Sequence, residues 1–361
     1  MSGKIDRIGL PGSFLVYAKG DSGEVSREIP LADFRAAVDT LNTFLGEQVD
    51  FNNIVAVGHR IVHGMGRGSH AVVTPELIVE LKDISPIDPE HLPLEIAILE
   101  TFTERHPALV QVACFDTVFH HDMPRVAQLL PLPRRFDAAG VRRYGFHGLS
   151  CAYIMDELAR LDPTKAMGRV IIAHLGNGAS ITAIKEGKSV DTSMGFTPTG
   201  GILMSSRTGD LDPGALWYIM KSEGLSFESL SHLINHESGL LGISETSSNM
   251  YDLLEAQTTD VRAKEAVNLF CYEAKKRIGA YAAAMGGIDT IIFTGGMGEN
   301  APRIRTRICA GLEFLGIILD EARDLASEEI ISFESAPVCV RVMRTNEELM
   351  IARIASELIN K

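Results

Sequence analysis

The chain has 361 residues, 45% of them hydrophobic, with a formal net charge of −13 and a pI near 5.3. That length exceeds what one core ordinarily serves, so two domains are expected. The acidic balance argues against a nucleic-acid or membrane partner, although a small anion needs only local positive charge and is not excluded.

The opening residues, Met1-Ser2-Gly3-Lys4-Ile5-Asp6, carry no apolar signal region. A strand is predicted at 14–18, a turn at 20–23 and a helix at 31–45. A short apolar strand at 54–57 runs into Gly58-His59-Arg60. A helix follows at 92–102, and a second strand at 110–114 ends in Phe115-Asp116-Thr117. The Pro- and Arg-rich stretch 124–143 reads as a loop, with a domain boundary near its start. A strand at 169–174, a Gly-Asn-Gly turn and a strand at 180–184 read as a hairpin. Over Val261–Met285, the residues Val267, Phe270, Cys271, Ala274, Ile278, Tyr281 and Met285 fall on one helical stripe. A buried strand is predicted at 288–293 and a last helix at 347–358. Strands and helices therefore alternate, which points to α/β.

No run of 18 apolar residues occurs; the nearest, 278–297, is interrupted by Asp289 and several glycines. The cysteines are Cys114, Cys151, Cys271, Cys309 and Cys339, an odd number without a CxxC pair. They read as reduced core thiols of a cytoplasmic protein.

Two glycine turns stand at strand ends. His174-Leu175-Gly176-Asn177-Gly178 joins two strands, and Thr294-Gly295-Gly296-Met297-Gly298-Glu299-Asn300 joins a strand to a helix. Glycine lets main-chain N–H groups approach an anion, and a helix start adds a favourable field, so both could cradle phosphates. Plain turns would read the same way. Arg60, His147 and Arg207 lie in glycine-flanked polar segments at element ends. Phosphoryl transfer gathers negative charge that such cations answer, although a lone cation more often serves a surface ion pair. Asp116 ends a strand and Glu347 opens the last helix. Both are possible shell residues of a magnesium ion, but Thr345-Asn346-Glu347-Glu348 also has the look of a helix cap.

Taken together, these segments resemble the acetate kinase family, which includes propionate kinases. The resemblance runs from about Lys4 to the C-terminus. It rests on Gly58-His59-Arg60-Ile61-Val62-His63-Gly64, Phe115-Asp116-Thr117, Arg143-Tyr144-Gly145-Phe146-His147-Gly148, Ala173-His174-Leu175-Gly176-Asn177-Gly178, Asp191-Thr192-Ser193-Met194-Gly195-Phe196-Thr197-Pro198 and Thr345-Asn346-Glu347-Glu348-Leu349. Six such segments occur in the family's order.

The resemblance implies a two-domain, actin-like α/β fold, with residues 1–118 and 348–361 in one domain and 119–347 in the other. It implies a homodimer that uses ATP or ADP and Mg2+, with Mn2+ a possible substitute, to phosphorylate acetate reversibly. Arg60 and Arg207 would grip the acid and the moving phosphoryl group. His147 would stabilise the transition state, Asp116 would be the essential acidic residue, and Glu347 would attend the metal. The nucleotide would meet His174, Leu175, Gly176, Asn177 and Gly178 on one side. Gly296, Met297, Gly298, Glu299 and Asn300 would hold it on the other. Val62, Ile87, Phe146 and Pro198 would enclose the acid's methyl group. A carboxylic acid of pKa about 4–5 is already an anion at neutral pH, so no general base is needed. Asp116 is then expected to orient an arginine or a metal-bound water.

Three departures from the family pattern stand out. The family's opening Asn, Gly-Ser-Ser-Ser and Lys segment has no counterpart before Lys4, a shortfall of roughly twenty residues, or about two strands. Pro86-Ile87-Asp88-Pro89 replaces a substrate-side His before Asn-Pro, and an Asp there is expected to repel a bound carboxylate. The family's Asp-x-Arg near adenosine falls on Asn249-Met250-Tyr251. Open alternatives are a kinase for propionate or another short-chain acid, and a truncated, non-catalytic nucleotide-binding relative.

Overall fold

Residues 1–8, 12–20, 23–29, 31, 34–49 and 51–360 are described by the computed structural model. The chain divides into two units. The first comprises Met1–Ile61, His70–Cys114 and Ala352–Lys361; the second comprises Val62–Ser69 and Phe115–Ile351. Unlike the division implied by the resemblance, this one assigns Val62–Ser69 and residues 115–118 and 348–351 to the second unit.

In the first unit, β1 (Ser2–Asp6), β2 (Phe14–Ala18) and β3 (Val25–Glu28) form an antiparallel sheet in that order. Its Leu15 packs in a cluster with Ala37 and Phe44 of the Phe34–Gln48 helix, and the Tyr17 and Phe44 rings lie 4.8 Å apart. The turn expected at 20–23 and the start of the helix expected at 31–45 fall partly outside the described residues. A second sheet holds β4 (Ala56–Ile61), β5 (Ala71–Val72) and β6 (Val110–Phe115) in the order β4-β6-β5. β4 does not stop at 57 as expected. It runs on to Ile61, with His59 and Ile61 buried and Arg60 between them half-exposed, the alternation of a pleated strand. Arg60 is therefore a strand residue. The helix expected at 92–102 runs from Leu92 to Arg105.

The second unit is built on a five-stranded sheet. β7 (Arg169–Leu175), β8 (Ala179–Lys185), β9 (Lys188–Thr192), β10 (Thr290–Thr294) and β11 (Cys339–Val342) take the order β11-β10-β7-β8-β9. β11, β10 and β7 are parallel; β7, β8 and β9 are antiparallel, so the expected hairpin forms. Both faces are covered, which accounts for the unbroken apolar run of β7. Val170 and Ile172 pack with Ile154 and Leu158 of the Gly148–Leu161 helix. Ile171, Ala173 and Leu175 pack with Phe270, Ala274 and Ile278 of the Val261–Met285 helix. That helix has the expected bounds, opened by the Asp260 side chain accepting from the Arg262 N–H and closed at Gly286 with φ 73°. The stretch 124–143 is not all loop, since it holds two short helices, Arg125–Gln128 and Arg134–Ala138. All five cysteines are buried and unpaired.

One register detail positions the site. β10 runs parallel to β7 with Thr294 opposite His174. Both glycine turns therefore leave the same carboxyl edge of the sheet, where open α/β sheets bind ligands.

Candidate active site

The Gly148–Leu161 helix starts directly against Asp116. The Gly148 N–H donates to the Asp116 carbonyl at 3.0 Å. A Cβ on residue 148 would sit 2.0 Å from that oxygen, so only glycine permits the approach. His147, just before, is left-handed at φ 57°, ψ 26°. Such a conformation in a non-glycine residue costs on the order of 1–3 kcal/mol and persists only when its surroundings hold it.

The restraints are visible. His147 Nδ1 lies 2.9 Å from Ser180 Oγ, and its ring stacks on His174 at 4.2 Å and 25°. His120 Nε2–H donates to the Phe146 carbonyl at 3.0 Å, while its Nδ1 accepts from the Ser189 hydroxyl at 2.9 Å. Burial pushes His120 down to about 4, so it is neutral at physiological pH, and the carbonyl fixes its proton on Nε2. A Cβ on Gly178 would lie 3.1 Å from His147 Nε2 and 3.8 Å from Arg207 Nη1. Imidazole and guanidinium thus converge on the bare main chain of the first glycine turn. Arg207 also donates from Nη1 to the Pro198 carbonyl at 3.3 Å.

Asp116 is fully buried, and Glu347 is half-buried at the first turn of the Glu347–Ile359 helix. Burial first, then the carboxylates of Asp116 and Glu347, push the Cys151 thiol up to about 12. Both carboxylates therefore act on the same point at the start of the Gly148–Leu161 helix. Among the described residues, no three His, Cys, Asp or Glu side chains form a metal cluster. A hard cation that keeps most of its waters and takes phosphate oxygens needs only one or two carboxylates. The helix-cap reading of this segment also holds, because Asn346 Oδ1 accepts from the Leu349 N–H at 2.9 Å.

Of the four residues expected around the acid's methyl group, Val62, Phe146 and Pro198 are buried in the second unit. His63 braces them. It accepts at Nδ1 from the Met65 N–H (3.0 Å), donates from Nε2 to the Phe196 carbonyl (3.0 Å) and meets Phe146 edge-on at 5.4 Å. Ile87, in the short turn Ser85–Ile87, and Arg60, in β4, belong to the first unit. Asp88, expected to repel the acid's carboxylate, is buried in the first unit with Oδ1 2.9 Å from His91 Nδ1.

Beside the first turn lies a cavity of about 560 Å³. Its apolar walls include Met250, Tyr251, Leu254, Met297, Ala301 and Pro302, and Gly176, Asn177, Gly296 and Asn300 also line it. Asn249 lines it as well, but its Oδ1 is committed to capping the Met250–Ala256 helix through the Tyr251 N–H at 2.9 Å. Tyr251 keeps 71% of its surface exposed.

Five expected nucleotide residues do not line this cavity. Leu175 and Gly298 are buried, and His174 and Gly178 belong to the cluster around His147. Glu299 is a structural tie. Its Oε1 accepts from the Gly295 N–H (3.0 Å), the Thr345 N–H (3.3 Å) and the Thr294 hydroxyl (3.4 Å). Conversely, Leu254, Glu255, Ala301, Pro302 and Arg303 line the cavity without having been singled out in the sequence. Leu254 is one helical turn past Met250, and residues 301–303 simply continue from Asn300, so spacing could have found them.

Among the described residues no helix is long and apolar enough to cross a membrane. Residues 1–353 match the acetokinase family. An acetate kinase of Oceanobacillus iheyensis is 42% identical over 97% of this chain and 90% of its own length. The crystal structure of Porphyromonas gingivalis acetate kinase is 37% identical, with a TM-score of 0.89 over 99% of this chain and 92% of that one. A propionate kinase from Francisella tularensis is 33% identical, with a TM-score of 0.92 over 98% of this chain and 92% of that one. The fold is thus the actin-like α/β fold expected from the sequence. With histidine, arginine and glycine turn gathered at one sheet edge, and with likeness along nearly its whole length, the chain belongs to the acetokinase family.

Proposed function

We propose that the chain transfers the γ-phosphoryl group of ATP to acetate, reversibly, giving acetyl phosphate and ADP. The observation that carries this reading is the convergence of His147 and Arg207 on Gly178, two residues from the cavity-lining Gly176. The cavity is large enough for a nucleoside and mostly apolar, and the exposed ring of Tyr251 offers a face for the base. The phosphates then lie toward Gly176 and Asn177, next to the His147 imidazole and the Arg207 guanidinium.

The chemical task is to bring two anions together, not to remove a proton. Arg207 and His147 supply fixed donors for charge that develops on the phosphoryl group in flight. Asp116, buried and held at its main-chain carbonyl by the Gly148 N–H, orients rather than abstracts. A divalent metal, taken here as Mg2+ with Mn2+ able to replace it, would be held through Glu347 and Asp116 and would neutralise phosphate charge. Val62, Phe146 and Pro198 wall the methyl group, while Arg60 and Ile87 keep the acid-side roles that their motifs imply.

The working form is a cytoplasmic homodimer, a reading supported by an unpartnered apolar surface. The Pro213–Glu223 helix contains Leu216, Trp217, Tyr218, Ile219 and Met220 yet buries no residue. Trp217, Tyr218 and nearby Phe227 are each 74% exposed. A patch of this kind marks an interface, and a second copy covers it.

Likeness to a propionate kinase favours a second acid. Release of ADP from MgATP is therefore measured with acetate, propionate and butyrate in turn. Acid-dependent release is expected with acetate. Propionate should follow within about 10–200-fold in kcat/KM, the discrimination one methylene allows. ADP release at the same rate without any acid would overturn the proposal.

A further inference from the structure

The polar groups behind the two histidines form one continuous chain. Ser150, fully buried, places its hydroxyl 2.9 Å from His174 Nδ1 and 2.8 Å from Thr345 Oγ1. The Thr345 N–H donates to Glu299 Oε1, which also accepts from the Gly295 N–H in the second glycine turn. Glu347 follows Thr345 by two residues. His174 in turn stacks on His147.

We propose that Thr345 and Ser150 are positioning residues for phosphoryl transfer, their hydroxyls in series setting the tautomer of His174 so that its Nε2–H faces the first glycine turn. The inference rests on the function proposed above. Its logic is proton counting. A neutral imidazole carries one N–H, and which nitrogen bears it is set by the partner of the other. Nε2 is the nitrogen on the turn's side, where a Cβ on Gly176 would lie 3.7 Å away. An anion at that turn needs a donor; an Nε2 lone pair would repel it. Nδ1 must then accept, so Ser150 spends its single proton on Nδ1. The Ser150 oxygen is left to accept from the Thr345 hydroxyl. Each donor has one acceptor, and the direction runs from Thr345 to His174.

This arrangement couples segments far apart in sequence. Thr345 is anchored by Glu299 to the second turn and sits beside the carboxylate assigned to the metal. Ser150 stands at the start of the helix that His147 precedes. A shift in either segment is passed to the imidazole that faces the phosphates.

The test compares Thr345→Val, which keeps the shape and removes the hydroxyl, with Thr345→Ser, which keeps the hydroxyl, and adds Ser150→Ala. Thr345→Val and Ser150→Ala should lower kcat by about 10–100-fold, the usual cost of losing an orienting partner, with the Kd for MgATP changed less than about threefold. Thr345→Ser should stay within about threefold of the parent in kcat. On 15N-histidine-labelled protein, the ring nitrogens of His174 should report Nε2–H in the parent and in Thr345→Ser, and loss of that single tautomer in Ser150→Ala. An unchanged tautomer in Ser150→Ala would overturn the proposal, as would equal losses of kcat in Thr345→Val and Thr345→Ser. If the parent transfers no phosphoryl group to any acid, the function proposed above fails, and the tautomer comparison still decides this one.

Discussion

Replacing Arg207 with alanine should lower kcat for acetate phosphorylation by on the order of 10³-fold while leaving the affinity for MgATP nearly unchanged. The reason is where the guanidinium stands. Arg207 does not line the nucleotide cavity; it meets the bare main chain of Gly178 beside His147. On the function proposed above its contact is with the group in flight, and an interaction made mainly in the transition state appears in kcat rather than in binding. Steady-state kinetics beside a direct titration of MgATP separates the two quantities. Near-normal turnover in Arg207→Ala would move the transfer site elsewhere. An equal loss in kcat and ATP affinity would make Arg207 a ground-state ligand of the nucleotide.

Arg305→Ala should cost about 3–5 kcal/mol of stability, the usual result of removing one partner from a buried ion pair. Arg305 is fully buried and uses its whole fork. Nε donates to Asp324 Oδ1 at 2.6 Å, Nη1 to the carbonyls of Gly298 (2.9 Å) and Glu299 (3.0 Å), and Nη2 to the Asp324 carbonyl (2.7 Å) and Ser327 Oγ (3.0 Å). Alanine would leave the buried Asp324 carboxylate with the Thr306 hydroxyl at 2.9 Å but no cation, and take the Arg305 donors from two carbonyls of the Gly295–Asn300 helix. That helix contributes Gly296, Met297 and Asn300 to the cavity, so MgATP binding should weaken as well. Urea unfolding monitors the first effect and titration the second. A loss of stability below about 1 kcal/mol would place Arg305 with ordinary surface ion pairs.

Local patterns carried much of the fold. The Val261–Met285 helix was legible because its apolar stripe keeps a 3.6-residue period from Val267 to Met285, about five turns. The β7–β8 hairpin was legible because two apolar runs flank a Gly-Asn-Gly turn. The strand at Arg60 was under-read because Gly58-His59-Arg60 looks polar, and only pairing in a sheet reveals that its alternation continues to Ile61.

In the site, the main actors announced themselves through glycine-flanked segments, but their supports did not. Ser150 and Thr345 are 195 residues apart. His120 reaches Phe146 across 26 residues. No local period encodes such contacts. Glu299 shows the same limit: its neighbours in the chain line the cavity, whereas its own carboxylate ties the turn to Thr345. The contact of Asp88 with His91 was not read from the sequence either.

The central claim is transfer of a phosphoryl group from ATP to the carboxylate of acetate. Phosphorus NMR on the purified chain with Mg2+, ATP and acetate follows the transferred atom itself. Loss of the γ-phosphate signal should be matched by growth of acetyl phosphate and ADP, and adding acetyl phosphate and ADP should regenerate ATP. Saturating ATP binding with no acetyl phosphate formed in the presence of acetate would contradict the account.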